Sequence, residues 1–262
     1  MTGTYLFKED RQERIMKLLE NRGHVAIADL KNEFQVTSMT IRRDLKEMEE
    51  NGPVRRTHGG AILSIKAKSY LEPPTLDRMD FMREEKIAIA KDISTFIGPR
   101  EMIFLGSGTT TLFVAMELSN RDDITVVTNS LLILNHLVSF SEMAVIGVGG
   151  FLRRRESSMV GHFADNVIEN LRVDKVIMGM RGIHPYFGLT NEDPQELMTD
   201  RTILGISDVI IIVADHTKIG HVSTSRTAPI TSASKIFTTA HAPIEMIAAI
   251  RDQGVEVNLV NV

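Results

Sequence analysis

Residues 36–49, VTSMTIRRDLKEME, set Arg42, Arg43 and Lys46 on one side of a helical repeat and Ile41, Leu45 and Met48 on the other. A helix patterned this way buries its apolar stripe and holds its cations outward. Arginine and lysine neutralise phosphates, while residues of the first turn, here Ser38, Met39 and Thr40, reach base edges. Thr37 stands where a hydroxyl caps the helix N-terminus. Downstream, Arg55, Arg56 and His58 precede Gly59-Gly60 in a stretch (54–62) that reads as a small β-hairpin. The glycine pair permits the turn, and such a wing sets Arg55 and Arg56 against a nucleic-acid backbone.

The elements that position these residues are two further helices. Periodicity begins near Lys8, with Ile15, Leu18 and Leu19 on one face, and stops at Asn21-Arg22-Gly23, where Gly23 suits a left-handed C-terminal residue. A second short helix carries Ile27, Leu30 and Phe34, and Gln35-Val36-Thr37 turns into the third. A single cationic helix face is usually only solvated surface. Three helices of suitable length followed by a second basic element, in this order, predict a winged helix-turn-helix for double-stranded DNA over residues 1–63.

A second set of residues has the chemistry of a phosphorylated ligand. Gly106, Ser107, Gly108, Thr109 and Thr110 follow an apolar strand and open a helix, so backbone N–H groups and hydroxyls face an anion at a helix N-terminus. Asn129-Ser130, Gly149-Gly150 with Arg153, Arg181, and Asp215 with Lys218 fall at the ends of other strands, and Glu196 lies on a later helix. Together they supply cations for a phosphate and polar groups for sugar hydroxyls. Dinucleotide binding does not fit, because Thr111 stands where the third glycine of that fingerprint belongs and Asn129 replaces the ribose-binding acid. Gly-Lys-Ser/Thr is absent, which excludes a P-loop. His216 and His221 share a loop with no third ligand evident, so no metal is expected.

Positioning these groups requires an α/β domain. After a linker (64–75) containing Lys66, Lys68 and Pro73-Pro74, strand-like runs at 102–105, 124–128, 143–148, 175–179, 209–214, 235–238 and 255–259 alternate with helical segments at 110–118, 130–138, 163–171, 195–207 and 243–251. A further helix is read around Phe81 to Ile93. Alternation of this kind predicts a mostly parallel, Rossmann-like sheet over residues 76–262, with ligands at the carboxyl ends of its strands. The chain has 262 residues, no Cys and a net charge of -4, so any DNA site is a local basic patch and thiolate zinc or disulfides are excluded. Its longest strongly apolar run, 209–214, is strand length, and the N-terminus has no apolar signal core. A cytoplasmic protein without membrane partners is expected.

Thr40-Ile-Arg-Arg-Asp-Leu45, Gly52, Arg56 and His58-Gly-Gly-Ala61, with Gly106-Ser-Gly-Thr-Thr110, Val127-Thr-Asn129, Gly149-Gly150, Leu152-Arg153, Gly161, Gly188-Leu-Thr190 and Ala214-Asp-His-Thr-Lys218, resemble the DeoR family of bacterial transcriptional regulators over almost the whole chain. The resemblance implies a winged helix-turn-helix that binds operators, and a sensor domain similar in fold to ribose-5-phosphate isomerase. It further implies a non-enzymatic repressor of a carbohydrate operon with no catalytic cofactor, controlled by a phosphorylated sugar. A homodimer or homotetramer is expected, because one short recognition helix reads too few base pairs and symmetric half-sites double the number. Two positions depart from the family pattern: Pro53 after Gly52, and Gly106 where Asp is frequent. Rival readings are a sugar-phosphate isomerase using Asp215 or Glu196 as base and Lys218 as phosphate ligand, or a DNA-binding protein with a vestigial ligand domain.

Overall fold

The structure, a computed structural model, describes residues 8–22, 24–50, 54–57, 59–63 and 75–262. Gly23, Pro53, His58 and residues 64–74 of the linker lie outside the described residues, and Arg55 is described by its backbone alone. The chain divides into two compact units, Met1–Glu72 and Pro73–Val262.

The first unit contains helices α1 (Lys8–Arg22), α2 (Ile27–Phe34) and α3 (Ser38–Glu50), and strands β1 (His24–Ala26), β2 (Val54–Thr57) and β3 (Gly60–Leu63). Ile15, Leu19, Leu30, Phe34, Ile41, Leu45 and Met48 converge with Val25, Val54 and Ala61 in one core, as the helical periodicities require. Gln35, at φ 53°, closes α2 in the left-handed region and turns the chain toward α3. Thr37 Oγ1 accepts the Thr40 N–H at 3.2 Å, the capping bond expected of its hydroxyl. The hairpin β2–β3 is extended by β1 into an antiparallel sheet of order β1-β3-β2. Three residues are too few to show an alternation, and β1 is absent from the sequence reading. Gly60 is required where β3 meets β1, since a Cβ there would stand 1.9 Å from the Val25 carbonyl oxygen.

The second unit is built on seven parallel strands: β4 (Met102–Leu105), β5 (Thr125–Thr128), β6 (Ala144–Gly147), β9 (Lys175–Met178), β12 (Ile210–Val213), β14 (Lys235–Thr239) and β15 (Glu256–Val260). Their order is β15-β14-β12-β9-β4-β5-β6. Side chains alternate between two cores. Ile103, Leu105, Val126, Ile177, Ile211, Val213 and Phe237 pack under α4 (Arg83–Ser94), α5 (Thr109–Glu117) and α6 (Leu131–Phe140). Phe104, Val127, Val176, Met178, Ile212 and Ile236 face α7 (His162–Glu169), α8 (Pro194–Leu204) and α9 (Ile244–Arg251). Covering both faces is what makes the strands near-continuous apolar runs. Strands β4 to β6 run outward in one direction, and the chain then returns to lay β9 on the other side of β4, so the crevice of this doubly wound sheet lies between β4 and β9.

Three short additions were not anticipated from the sequence. They are the hairpin β7 (Phe151–Arg153) with β8 (Ser158–Val160), the antiparallel sheet of β10 (Gly182–His184), β11 (Gly188–Asn191) and β13 (Ser225–Ala228), and a 3-10 turn at Thr75–Arg78. Thr75, read as the last linker residue, is buried in the second unit. Its N–H donates to the Arg155 carbonyl at 3.0 Å and its hydroxyl to Glu156 Oε2 at 3.0 Å.

Candidate functional site

A cleft opens at the carboxyl ends of β4, β9 and β12, the position that the strand order dictates. Strand β4 delivers Ser107, Gly108, Thr109 and Thr110 at the start of α5, β9 delivers Met178 to Arg181, and β12 delivers Ala214 and Asp215 with Lys218. Gly108, at φ 138°, makes the turn from strand to helix, and the Leu112 N–H already returns to the Gly108 carbonyl. The amides of the first turn of α5 therefore point out of the helix toward the cleft end. Arg78 and Lys86 enter from the segment before β4, Glu156 from the β7–β8 turn, Asn191 from the end of β11, and Glu196 and Asp200 from α8.

The cleft thus gathers four cationic and four acidic side chains, and burial sets their protonation. Lys86 is almost fully buried and donates its Nζ to the Arg78 carbonyl at 2.7 Å. Burial, reinforced by the charges of Arg78, Lys218 and Arg181, pulls its ammonium down to about 8 despite Asp215. Glu156 is different: burial alone would raise it, but Arg181 and Arg78 hold it below the usual carboxylate range. Arg78 meets its Oε2 at 2.6 Å and Arg181 its Oε1 at 2.9 Å. Asp200, buried and close to Glu196, is pushed up to about 8, while Asn191 donates to it. Glu196 is also raised, by burial and by Glu156, against the opposing charge of Arg153. Asp200 is thereby biased toward its neutral, hydrogen-bond-donating form, and Glu196 shifts in the same direction.

Of the residues that the sequence pattern picked out for a ligand, Ser107, Gly108, Thr109, Thr110, Arg181, Glu196, Asp215 and Lys218 line this cleft. Other residues in that pattern do not line the cleft. Asn129 and Ser130 end β5, where the hairpin β7–β8 closes over them. The Met159 N–H donates to the Asn129 carbonyl at 2.8 Å, Ser130 bridges Ser158, and the Ser130 hydroxyl caps α6. Gly149 and Gly150 follow β6 at the sheet's edge, and Gly150 (φ 139°) packs against Val160 and Ala164. Arg153 is held away by Asp193 at 2.7 Å and by Glu196, so it positions a cleft residue rather than lining the cleft. Gly106 lies just behind the wall, where a Cβ would stand 3.0 Å from Met178 Cγ. The Met178 side chain therefore limits what could replace Gly106 at this position.

In the first unit, Thr37, Ser38, Met39, Arg42, Arg43 and Lys46 are exposed along α3 and its entry, with Thr40 partly so, and Met39 is 75% exposed. The helix is pinned from within. Arg11 of α1 meets Asp44 in a bidentate pair at 2.6 and 3.1 Å, and Lys8 meets Glu47 at 2.5 Å. Arg56 is not directed solely outward, since its Nε lies 2.7 Å from Glu49 Oε2 and its N–H donates to Oε1 at 2.9 Å, which ties the wing to α3. Those bonds hold Glu49 below the usual carboxylate range.

A family model described as DeoR C terminal sensor domain matches residues 82–240, and one described as DeoR-like helix-turn-helix domain matches residues 11–66. The chain belongs to the DeoR family of bacterial transcriptional regulators. The Glycerol-3-phosphate regulon repressor of Escherichia coli (strain K12) is 31% identical over 249 residues, 95% of this chain and 98% of that protein. The Transcriptional repressor AccR of Agrobacterium fabrum is 34% identical over 231 residues, 88% of this chain and 89% of that protein. A solved D-ribose-5-phosphate isomerase in complex with phospho-erythronic acid aligns with TM-score 0.40 and 18% identity over 52% of this chain and 53% of that one, too slight a likeness to carry an argument.

Sequence reasoning did not find several residues of this DeoR-family cleft: Arg78, Lys86, Glu156, Met178, Met180, Asn191 and Asp200. Lys86 is hidden in the run Arg83-Glu84-Glu85-Lys86, which reads as a solvated face. Asn191 directly follows the Gly188-Leu-Thr190 pattern at the end of β11, a signal that was there to be followed.

Proposed function

We propose that this protein is an operator-binding repressor of a carbohydrate operon, and that a phosphorylated sugar or related metabolite bound in the α/β cleft controls it. One observation carries the reading. Arg78, Lys86, Arg181 and Lys218 converge with the N-terminus of α5 in a single cleft at the sheet's switch point. The destabilised Lys86 ammonium would be relieved by a dianionic phosphate, and hydroxyls of the ligand would meet Asn191, Glu196, Asp200 and Asp215. The DNA side rests on Ser38, Met39, Thr40, Arg42, Arg43 and Lys46, with Thr37 as cap and Arg55, Arg56 and His58 on the wing. Operator half-sites call for a homodimer or homotetramer, and the reader works where the chromosome is, in the cytoplasm. No helix among the described residues is long and apolar enough to cross a membrane. The relatives named as repressors support a regulator without catalytic turnover.

The ligand must bind two arrangements of the regulator with different affinity, because only differential affinity shifts an equilibrium. The test is a thermal-shift screen of the full chain against phosphorylated sugars and their unphosphorylated counterparts, followed by operator binding with each hit. A phosphorylated compound should raise Tm and change operator affinity, and Lys218→Ala should remove both effects. No shift across the panel, or equal shifts with unphosphorylated sugars, refutes phosphate recognition.

A further inference from the structure

Outside the cleft, Glu85 is a buried carboxylate on α4, 5% exposed, with no Lys or Arg partner among the described residues. Its Oε2 accepts the backbone N–H of His216 at 3.1 Å and the Thr239 hydroxyl at 2.8 Å. Its Oε1 lies 2.7 Å from His216 Nδ1 and 3.3 Å from His241 Nδ1. Buried charges in proteins are ordinarily paired with a cation or bound to a metal.

We propose that Glu85, His216 and His241 form a binding site for one divalent transition-metal ion of the zinc type. The three donor atoms lie within 4.8 Å of one another. A tetrahedral zinc ion with bonds near 2.0–2.1 Å spaces its ligand atoms by about 3.3 Å. The separation of Glu85 Oε1 from His241 Nδ1 is already 3.3 Å, and the 2.7 Å contact to His216 Nδ1 has only to open by about half an ångström. Thr239 and the His216 N–H occupy Oε2, which leaves Oε1 as a single oriented ligand in the manner of an outer coordination shell. The His216 side chain is 28% exposed and that of His241 62%, so an ion can enter from solvent and a fourth position stays open to water. Two imidazole nitrogens and one carboxylate favour Zn²⁺, Co²⁺, Ni²⁺ or Cu²⁺ over Mg²⁺ and Ca²⁺. The ligands come from α4, the turn after β12 and the loop after β14, three segments that one ion would join. Glu85 and His216 are chain neighbours of the cleft residues Lys86 and Asp215, so the same ion braces the cleft wall.

The full chain, stripped with a chelator, is titrated with Zn²⁺ alone against a chromophoric competitor, and with Co²⁺ alone by visible absorption. The expected result is one equivalent per chain, a Co²⁺ ligand-field band, and a rise in Tm on adding Zn²⁺. His241→Ala, at an exposed position that leaves folding intact, should lower affinity at least tenfold and abolish both the band and the Tm shift. Thr239→Val, which keeps all three ligands, should weaken binding by about tenfold. Absence of stoichiometric uptake, or uptake unchanged in His241→Ala, overturns the proposal and leaves the cluster as a hydrogen-bonded strut.

Discussion

The head of this regulator depends on one interior ion pair, and replacing Arg11 by Met exposes that dependence. The side chains of Arg11 and Asp44 are 7% and 0% exposed and share two bonds, at 2.6 and 3.1 Å. Asp44 is on the inner side of α3, away from the exposed Arg42, Arg43 and Lys46. Removing the guanidinium strands a carboxylate in the core, which costs about 3–5 kcal/mol. A unit of this size has a total stability near the low end of the usual range of about 5–15 kcal/mol, so the head should be close to unfolding. At about 4–8 °C per kcal/mol, its melting transition should fall by at least ~12 °C. Calorimetry of the full chain should show the low transition moving while that of the α/β unit stays in place, and operator binding should disappear with the head. Replacing both partners, Arg11→Met with Asp44→Leu, should restore the transition, because apolar pairs substitute well for buried ion pairs. Arg42→Ala should instead leave melting unchanged and weaken operator binding by about 1–3 kcal/mol. A head transition within ~2 °C of wild type in Arg11→Met would mean that the pair contributes under about half a kcal/mol, and the reasoning would fail.

Gly60→Ala should destabilise the head and loosen the wing, since its Cβ would fall 1.9 Å from the Val25 carbonyl oxygen; amide exchange across β1–β3 would report this. Binding of a phosphorylated ligand should draw a proton onto Lys86, whose ammonium titrates near 8, so affinity should fall as pH rises through that value; calorimetry in buffers of differing ionisation enthalpy measures the uptake, and Lys86→Met should remove it. Asp200 titrates near 8 when folded against 3.8 as its ordinary value, so the folded state binds the extra proton between them. Its contribution is complete below about pH 4 and is lost as pH rises through about 8, and Asp200→Asn should flatten that decline in denaturant titrations of the α/β unit.

What was legible in the sequence follows from the range of the interactions involved. The seven parallel strands were readable because both of their faces are covered, so Phe104 and Ile103 are apolar alike although they enter opposite cores. Helix α3 was readable because Ile41, Leu45 and Met48 repeat within one element. Arg11 and Asp44 are 33 positions apart, and nothing local marks either as buried. Glu85 lies 131 positions from His216 and 156 from His241, so the search for a third ligand near His216 and His221 could not succeed. Asn129 and Ser130 were a reasonable expectation, at a strand end beside β4. They fall outside the cleft because three-residue strands with no periodic signature, β7 and β8, fold over that end.

The composition of the cleft argues for its ligand more strongly than the glycine-rich turn that first drew attention to it. Counted formally, Arg78, Lys86, Arg181 and Lys218 are balanced by Glu156, Glu196, Asp200 and Asp215, and a neutral cleft gives no preference for an anion. Burial breaks that balance. Glu156 is committed to Arg78 and Arg181, Asp200 is pushed up to about 8 and so carries its proton near neutral pH, and Glu196 is raised in the same direction. Lys86 and Lys218 stand with Asp215 beside the first amides of α5. Protonated acids and an amide can both give and accept hydrogen bonds, which suits hydroxyls, whereas the cations and amides suit a phosphate. A ligand with a phosphate at one end and hydroxyls at the other satisfies both sets, whereas an unphosphorylated sugar meets only the hydroxyl-binding groups.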